Sequence, residues 1–455
     1  MVENLEKKLD ILYQLYGNTE YFKVLFPKYK PKINSQKPIQ KQRKALKLYN
    51  SNFNNVGKFT DNVVLEPDYY NQDIDLSRIK FNKSKSKAAR GSFATVYLRY
   101  LNSHKQIKNN IVFKKINDKY GIEYNGLIFN YLLYFYYQYN QANFPGAIEH
   151  LCELKEIGKV IEKNEKPISG LIYGIMDNCG YELFELKKSN LLFNFNRQIR
   201  YNFVISIFVK LLNSLQLIHN VGYIHCDIKF GNYLMKIKKI KIIDFGFVRK
   251  NPDNQFELIG TSKYTANDFI INYFNQKSTI LEYHHDLFSL GCIFIEILYC
   301  LLHSFDMKIK ILKIACPIIE DTDNKNIEDE KIYELRKAYS EERHVADMKK
   351  MLDLLNTNTN LSQFKDKNAK LVEIISKMVH PDPQKRYQTI EPNISPIQTI
   401  LHEITQTNNN IFSPIKSSIG VITKFLGIAT STVATTAVGA LTTFPWNFYS
   451  SNKKY

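Results

Sequence analysis

The sequence predicts an α+β chain in which a small β-rich part precedes a larger helical part. Between about Lys80 and Asp177, stretches such as FATVYLRY and NIVFKKI are rich in β-branched and aromatic residues and alternate with polar, turn-rich segments, as strands do. After Gly180 apolar residues recur at helical spacing in YNFVISIFVKLLNSLQLIHNVGY, LFSLGCIFIEILYCLL and LVEIISKMV. A length of 455 residues, 44% of them apolar and 13% aromatic, is ample for two or three cores.

The chain opens on MVENLEKKLD, charged and without an apolar signal region. From Tyr21 to Thr60 there is no acidic residue, while Lys28, Lys30, Lys32, Lys37, Lys41, Arg43, Lys44 and Lys47 crowd between prolines and polar residues. Residues 1–79 therefore read as a basic extension, either a solvated linker or an arm for an acidic partner or nucleic acid. The net charge of +18 favours polyanionic partners through long-range attraction. Six cysteines form no CxxC pair, which with the signal-free start points to a reducing, cytoplasmic compartment.

Within the β-rich part, KEIGKVIEKNEKPISGLIYGIMD reads as a hairpin, and EYNGLIFNYLLYFYYQYN has the length and apolar density of a helix. In the helical part, the charged stretch from about Met307 to Lys367, including IEDEKIYELRKAYSEERH, reads as exposed helices or an insertion. No repeat of fixed period appears.

Chemistry concentrates in two short segments, HCDIKFGN at 225–232 and KIIDFG at 241–246. Transfer of a phosphoryl group requires that charge on the phosphate oxygens be neutralised and the attacking hydroxyl held in line. Carboxylate and amide oxygens suit a hard divalent cation, and an ammonium suits a phosphate. Asp227, Lys229 and Asn232, followed by Asp244 in DFG, resemble the catalytic and metal-binding loops of the eukaryotic protein kinase family.

That resemblance implies a two-lobed protein kinase-like fold, with a domain at 80–405 divided into an N-lobe at 80–178 and a C-lobe at 179–405. It implies that Asp227 accepts or orients the substrate hydroxyl proton, that Lys229 steadies the γ-phosphate, and that Asn232 and Asp244 hold Mg2+, or Mn2+ in its place. His225 would brace the loop against Phe245. Cys226 departs from the family's arginine, and a thiol cannot receive an activation-segment phosphate.

Upstream, AARGSFATV resembles the glycine-rich loop, with Ala89, Gly91, Ser92, Phe93 and Val96 at nucleotide-binding positions. Ala89 and Ala94 replace two of its glycines, so weaker nucleotide binding is expected. Lys114 in IVFKKI takes the place of the lysine that reaches the α- and β-phosphates, and Glu123 is the expected helix partner. Met176, Asp177 and Cys179 lie where the hinge would receive adenine.

Downstream, GTSKYTAND at 260–268 resembles the family's peptide-docking segment, with Asn267 and Asp268 in place of proline and glutamate. Arg386 is the expected partner of Asp268, and Asp286 the buried acceptor for the catalytic-loop backbone. Lys229 with Thr261 resembles the serine/threonine branch, Thr261 tying Asp227 to Lys229.

The tail, 406–455, carries no charge from Phe425 to Asn452. Residues 425–444 are about long enough to cross a bilayer, which would make the protein membrane-associated. Seven of those twenty residues are Ser or Thr, which equally suits a helix packed on the protein itself. The function implied is an ATP- and Mg-dependent kinase acting on Ser/Thr hydroxyls of protein substrates. The alternatives are a pseudokinase acting as a nucleotide-binding scaffold and a kinase for a small molecule or lipid.

Overall fold

A computed structural model of the chain describes residues 2–31, 63–67, 79–80, 87–90, 94–103, 106–117, 121–162, 167–183, 197–236, 239–302, 329–357, 365–390, 396–397 and 399–400. The tail, with the membrane segment 425–444, lies outside them, as do the basic residues from Lys32 to Lys47. The chain forms two compact units. The first holds residues up to Cys179 together with Ile243–Gly246, and the second holds Gly180–Ile242 and the described residues from Phe247 on.

The first unit begins with helices α1 (Val2–Tyr16) and α2 (Glu20–Leu25). Strands β1 (Val63–Pro67), β2 (Ile79–Lys80), β3 (Lys87–Arg90), β4 (Ala94–Ser103) and β5 (Gln106–Asn117) follow, then helix α3 (Ile122–Tyr139) and strands β6 (Leu154–Glu162) and β7 (Pro167–Asp177). Among the described residues the strands make one antiparallel sheet in the order β1-β6-β7-β5-β4-β2, with β3 beside β4. The β4–β5 and β6–β7 pairs are the strands and hairpin that the alternating pattern predicts.

Helix α3 is apolar nearly all round because both of its sides are covered, and residues 126–133 are buried without a break. It packs on β6, while α1 and α2 pack on it as well. Tyr21 meets Phe129 edge-on at 5.2 Å, Phe26 meets Phe135 and Tyr136 at 6.1 and 5.8 Å, and Lys8 lies over the Tyr131 and Phe135 rings. The start of the predicted extension is thus part of the first unit. Its signal was the spacing of Leu9, Leu12 and Tyr16, all buried, which charge counting passes over.

The second unit is built on α4 (Arg197–His219), followed by short strands β8 (Tyr223–Ile224), β9 (Tyr233–Lys236) and β10 (Lys239–Ile242), then α5 (Asn267–Phe274) and α6 (Tyr283–Leu302). Residues 201–219 of α4 are long and apolar enough to cross a membrane, with a mean hydropathy of 1.4, but 61% of that stretch is buried. It is a core helix. Phe208 stacks on Phe294 of α6 at 3.8 Å, and the Tyr201 hydroxyl donates to Asn368 at 2.8 Å.

Helices α7 (Asp329–Lys337), α8 (Glu341–Thr357) and α9 (Lys365–Met378) complete the unit. The charged stretch expected to be exposed is only partly so. Arg336, His344, Asp347, Met348, Met351 and Leu355 are buried, because α8 packs on α9 and α7 on α5.

Candidate active site

In the first unit, register sets Lys114 of β5 opposite Val96 on β4 and Gly174 on β7. Glu123 lies in the first turn of α3, where a carboxylate also suits the helix dipole. The Lys114 ammonium stands 3.4 Å from Glu123 and donates to Asp244 at 2.9 Å. Burial pulls the Lys114 pKa down, but the charges of Asp244 and Glu123 outweigh it and hold it above its ordinary value. Glu123 follows Lys114 at an unusually short interval in sequence, and the intervening chain nevertheless brings the two together.

Asp244 adopts φ 69°, in the left-handed region that costs a non-glycine residue about 1–3 kcal/mol. Contacts on either side hold it there. Phe245 packs on Phe129 with ring centroids 5.6 Å apart, and α3 touches the turn directly. A Cβ at Gly126 would come within 2.6 Å of the Gly246 nitrogen, so only glycine allows this approach.

Met176 and Asp177 end β7, and the Asp177 N–H donates to the Glu153 carbonyl at 3.0 Å. Lys155 bridges the carboxylates of Glu153 and Asp177 at 3.1 and 3.3 Å. Cys179 is buried and joined to Cys152 in a disulfide that the 27-residue separation did not signal. Ala89 lies on β3, paired with Val96. Gly91, Ser92 and Phe93 lie outside the described residues.

In the second unit Asp227 is 4% exposed, yet its carboxylate is encircled by donors. The Lys229 ammonium donates to Oδ2 at 2.7 Å, the Thr261 hydroxyl to Oδ1 at 2.7 Å and the Asn232 amide to Oδ2 at 3.0 Å. Lys229 also donates to Thr261 at 3.0 Å, closing the loop between them. Asn232 donates again to the Asp227 carbonyl at 2.7 Å, so its nitrogen is committed and its oxygen is the group suited to a cation.

The loop rests on Asp286, which accepts from the His225 and Cys226 N–H groups at 2.7 and 2.9 Å and contacts His219 at 2.9 Å. Burial would raise the Asp286 carboxyl, but the bond from His219 and the neighbouring imidazoles hold it below its usual range. His225 accepts the Asp227 N–H at its Nδ1, 3.3 Å away.

The segment 260–268 is anchored on α6. Ser289 donates to the Tyr264 carbonyl at 2.7 Å, and the buried Glu296 receives Lys263 at 2.8 Å and the Tyr264 hydroxyl at 3.3 Å. Arg386 donates to Asp268 at 2.7 Å, so the shorter acid does reach the guanidinium. Gly260 takes φ 84°, and a Cβ there would collide with the Cys226 carbonyl.

A profile of the protein kinase domain matches residues 163–397. The chain belongs to the protein kinase family. Similar proteins include the serine/threonine-protein kinase MPS1 of Saccharomyces cerevisiae, 26% identical over 60% of this chain and 37% of the yeast protein. Mitogen-activated protein kinase 5 of Arabidopsis thaliana is 26% identical over 56% of this chain and 63% of that protein. Mitogen-activated protein kinase 4 of Oryza sativa is 30% identical over 33% and 38%. The match thus spans less than two thirds of these relatives' lengths. Together these place the kinase in the serine/threonine branch, with the two-lobed α+β fold.

In this kinase the place of the absent arginine is apolar. Cys226 packs against a cluster of Ile224, Ile259, Phe269 and Leu281. Burial, aided by the charge of Asp286, keeps its thiol protonated, well above the usual pKa. Asn267, in place of proline, accepts from the buried Arg336 at 3.1 Å, and Arg336 donates again to the Lys263 carbonyl at 2.7 Å. Neither Glu296 nor Arg336 was singled out from the sequence. Glu296 carried a signal, as the only acid in the apolar run LFSLGCIFIEILYCLL.

Proposed function

We propose that this kinase transfers the γ-phosphoryl group of ATP to serine and threonine hydroxyls of protein substrates. The observation that carries the proposal is the Asp227 carboxylate, held by Lys229, Thr261 and Asn232 in a fixed orientation. Asp227 receives the hydroxyl proton as the substrate oxygen bonds to the γ-phosphorus and the bond to the β,γ-bridging oxygen breaks, releasing ADP. Lys229 neutralises charge on the γ-oxygens, and Lys114 does so on the α- and β-phosphates.

Asn232 in the second unit and Asp244 in the first each offer the hard oxygen donors that Mg2+ prefers; they would hold it, and it would supply neutralisation of phosphate charge. The apolar setting of Cys226 supports activity without a phosphate on the activation segment.

Transfer of label from γ-radiolabelled ATP to basic and acidic protein substrates tests the reading. Wild type should label them, and Asp227→Ala and Asp244→Ala should not. Equal labelling by all three would sink it, and nucleotide binding without transfer by wild type would favour a scaffolding role.

A further inference from the structure

Outside the phosphotransfer residues, Asp268 at the start of α5 meets His284 and His285 at the start of α6. One ligand atom from each lies within 4.8 Å of the other two. His285 Nε2 is 3.1 Å from Asp268 Oδ2, and His284 Nε2 is 3.9 Å from the same oxygen. Arg386 takes the other oxygen, Oδ1, so the guanidinium holds one edge of the carboxylate and the two imidazoles face the other.

The second observation is His284 itself. It is 5% exposed, and neither ring nitrogen lies within hydrogen-bond distance of a partner; the nearest acceptors are the carboxylates of Asp268 at 3.9 Å and Glu282 at 3.7 Å. Buried polar atoms are as a rule hydrogen-bonded, so two ring nitrogens held just beyond that reach are an exception. Its neighbour is arranged differently. His285 Nδ1 is fixed by the Glu282 backbone, 3.1 Å from the N–H and 3.2 Å from the carbonyl, which turns Nε2 towards Asp268. In the tautomer whose Nδ1–H donates to the Glu282 carbonyl, the Nε2 lone pair is free and the ring is oriented for metal ligation.

We infer that Asp268, His284 and His285 form a binding site for a divalent ion of the zinc type. Two imidazoles and one carboxylate oxygen are ligands that zinc accepts, with water completing a four-coordinate shell. A neutral imidazole offers one nitrogen lone pair to a metal while its other nitrogen carries the proton, and an ionised carboxylate offers an oxygen. Glu282, whose Oε2 is 3.7 Å from His284 Nδ1, supplies a second negative charge against Arg386 and a nearby acceptor for the remote N–H. The ion joins the end of the 260–268 segment to α6, reinforcing the contact that Asp268 makes with Arg386.

The test is titration of the purified, chelator-treated full chain with Zn2+ in excess Mg2+, with metal content measured after desalting. One tightly held zinc per chain is expected, along with visible absorption bands of low-coordinate cobalt when Co2+ replaces it. His284→Ala should lower zinc affinity by about 100-fold or more and abolish the bands, since changes even in outer-shell partners cost 10–100-fold. His285→Gln gives a second reading should His284→Ala fail to fold. Wild type without stoichiometric zinc, or a folded variant that binds zinc as tightly as wild type, would overturn the site.

Discussion

The two units hold their charged groups in different ways. In the first, one ammonium is shared between two carboxylates, at 2.9 Å to Asp244 and 3.4 Å to Glu123. In the second, the Asp227 carboxylate is fixed by three short hydrogen bonds from a lysine, a hydroxyl and an amide. One ammonium divided between two carboxylates can shift its hydrogen bonds from one to the other, whereas three donors converging on one carboxylate fix its direction. On the function proposed above, Lys114 must exchange partners when nucleotide arrives, whereas Asp227 must already point the right way.

The sharpest break of this comparison is Asp227→Ala, which removes the fixed acceptor. Turnover on a protein substrate should fall by about 10³-fold while circular dichroism stays that of wild type, since proton transfer contributes roughly 10²–10⁴. A fall of less than tenfold would mean that direction does not matter there. Lys114→Met removes the shared ammonium and should cost about 10²-fold in kcat/KM for ATP, the scale of lost phosphate positioning. A larger loss than for Asp227→Ala would reverse the comparison.

The second unit's packing carries an acid-sensitive element at His344. It bonds to Ser376 at 2.9 Å and Tyr339 at 3.3 Å, and burial with the facing His380 lowers its pKa to about 4. The unfolded chain takes this proton near pH 6.5, so more protons bind to the unfolded state as pH falls from there to about 4, and stability declines across that interval. The decline should be about 2 kcal/mol in chemical denaturation, after allowance for solvent, and His344→Gln should flatten it. The smallest effect is expected at Thr261. Thr261→Ala removes one bond to Asp227 and should slow turnover about tenfold, with Thr261→Ser close to wild type.

What could be read from the sequence was chemistry with a fixed spacing. Asp227, Lys229 and Asn232 lie within six residues, so the chain itself brings them together, and the periodic strands and helices needed only their own residues. What could not be read depends on distant partners. Cys152 and Cys179 are 27 residues apart, and Arg336 reaches Asn267 across 69. The adjacent His284 and His285 gained meaning only when Asp268, on the preceding helix, was folded against them.

The missing side chain at Gly126 has a pharmacological consequence. With the backbone of the Asp-Phe-Gly turn resting on α3, an inhibitor that works by swinging Phe245 outward must also disturb that helix and the aromatic rings of the amino-terminal helices packed against it. Compounds that accept the inward turn should therefore be favoured over those that demand its reversal.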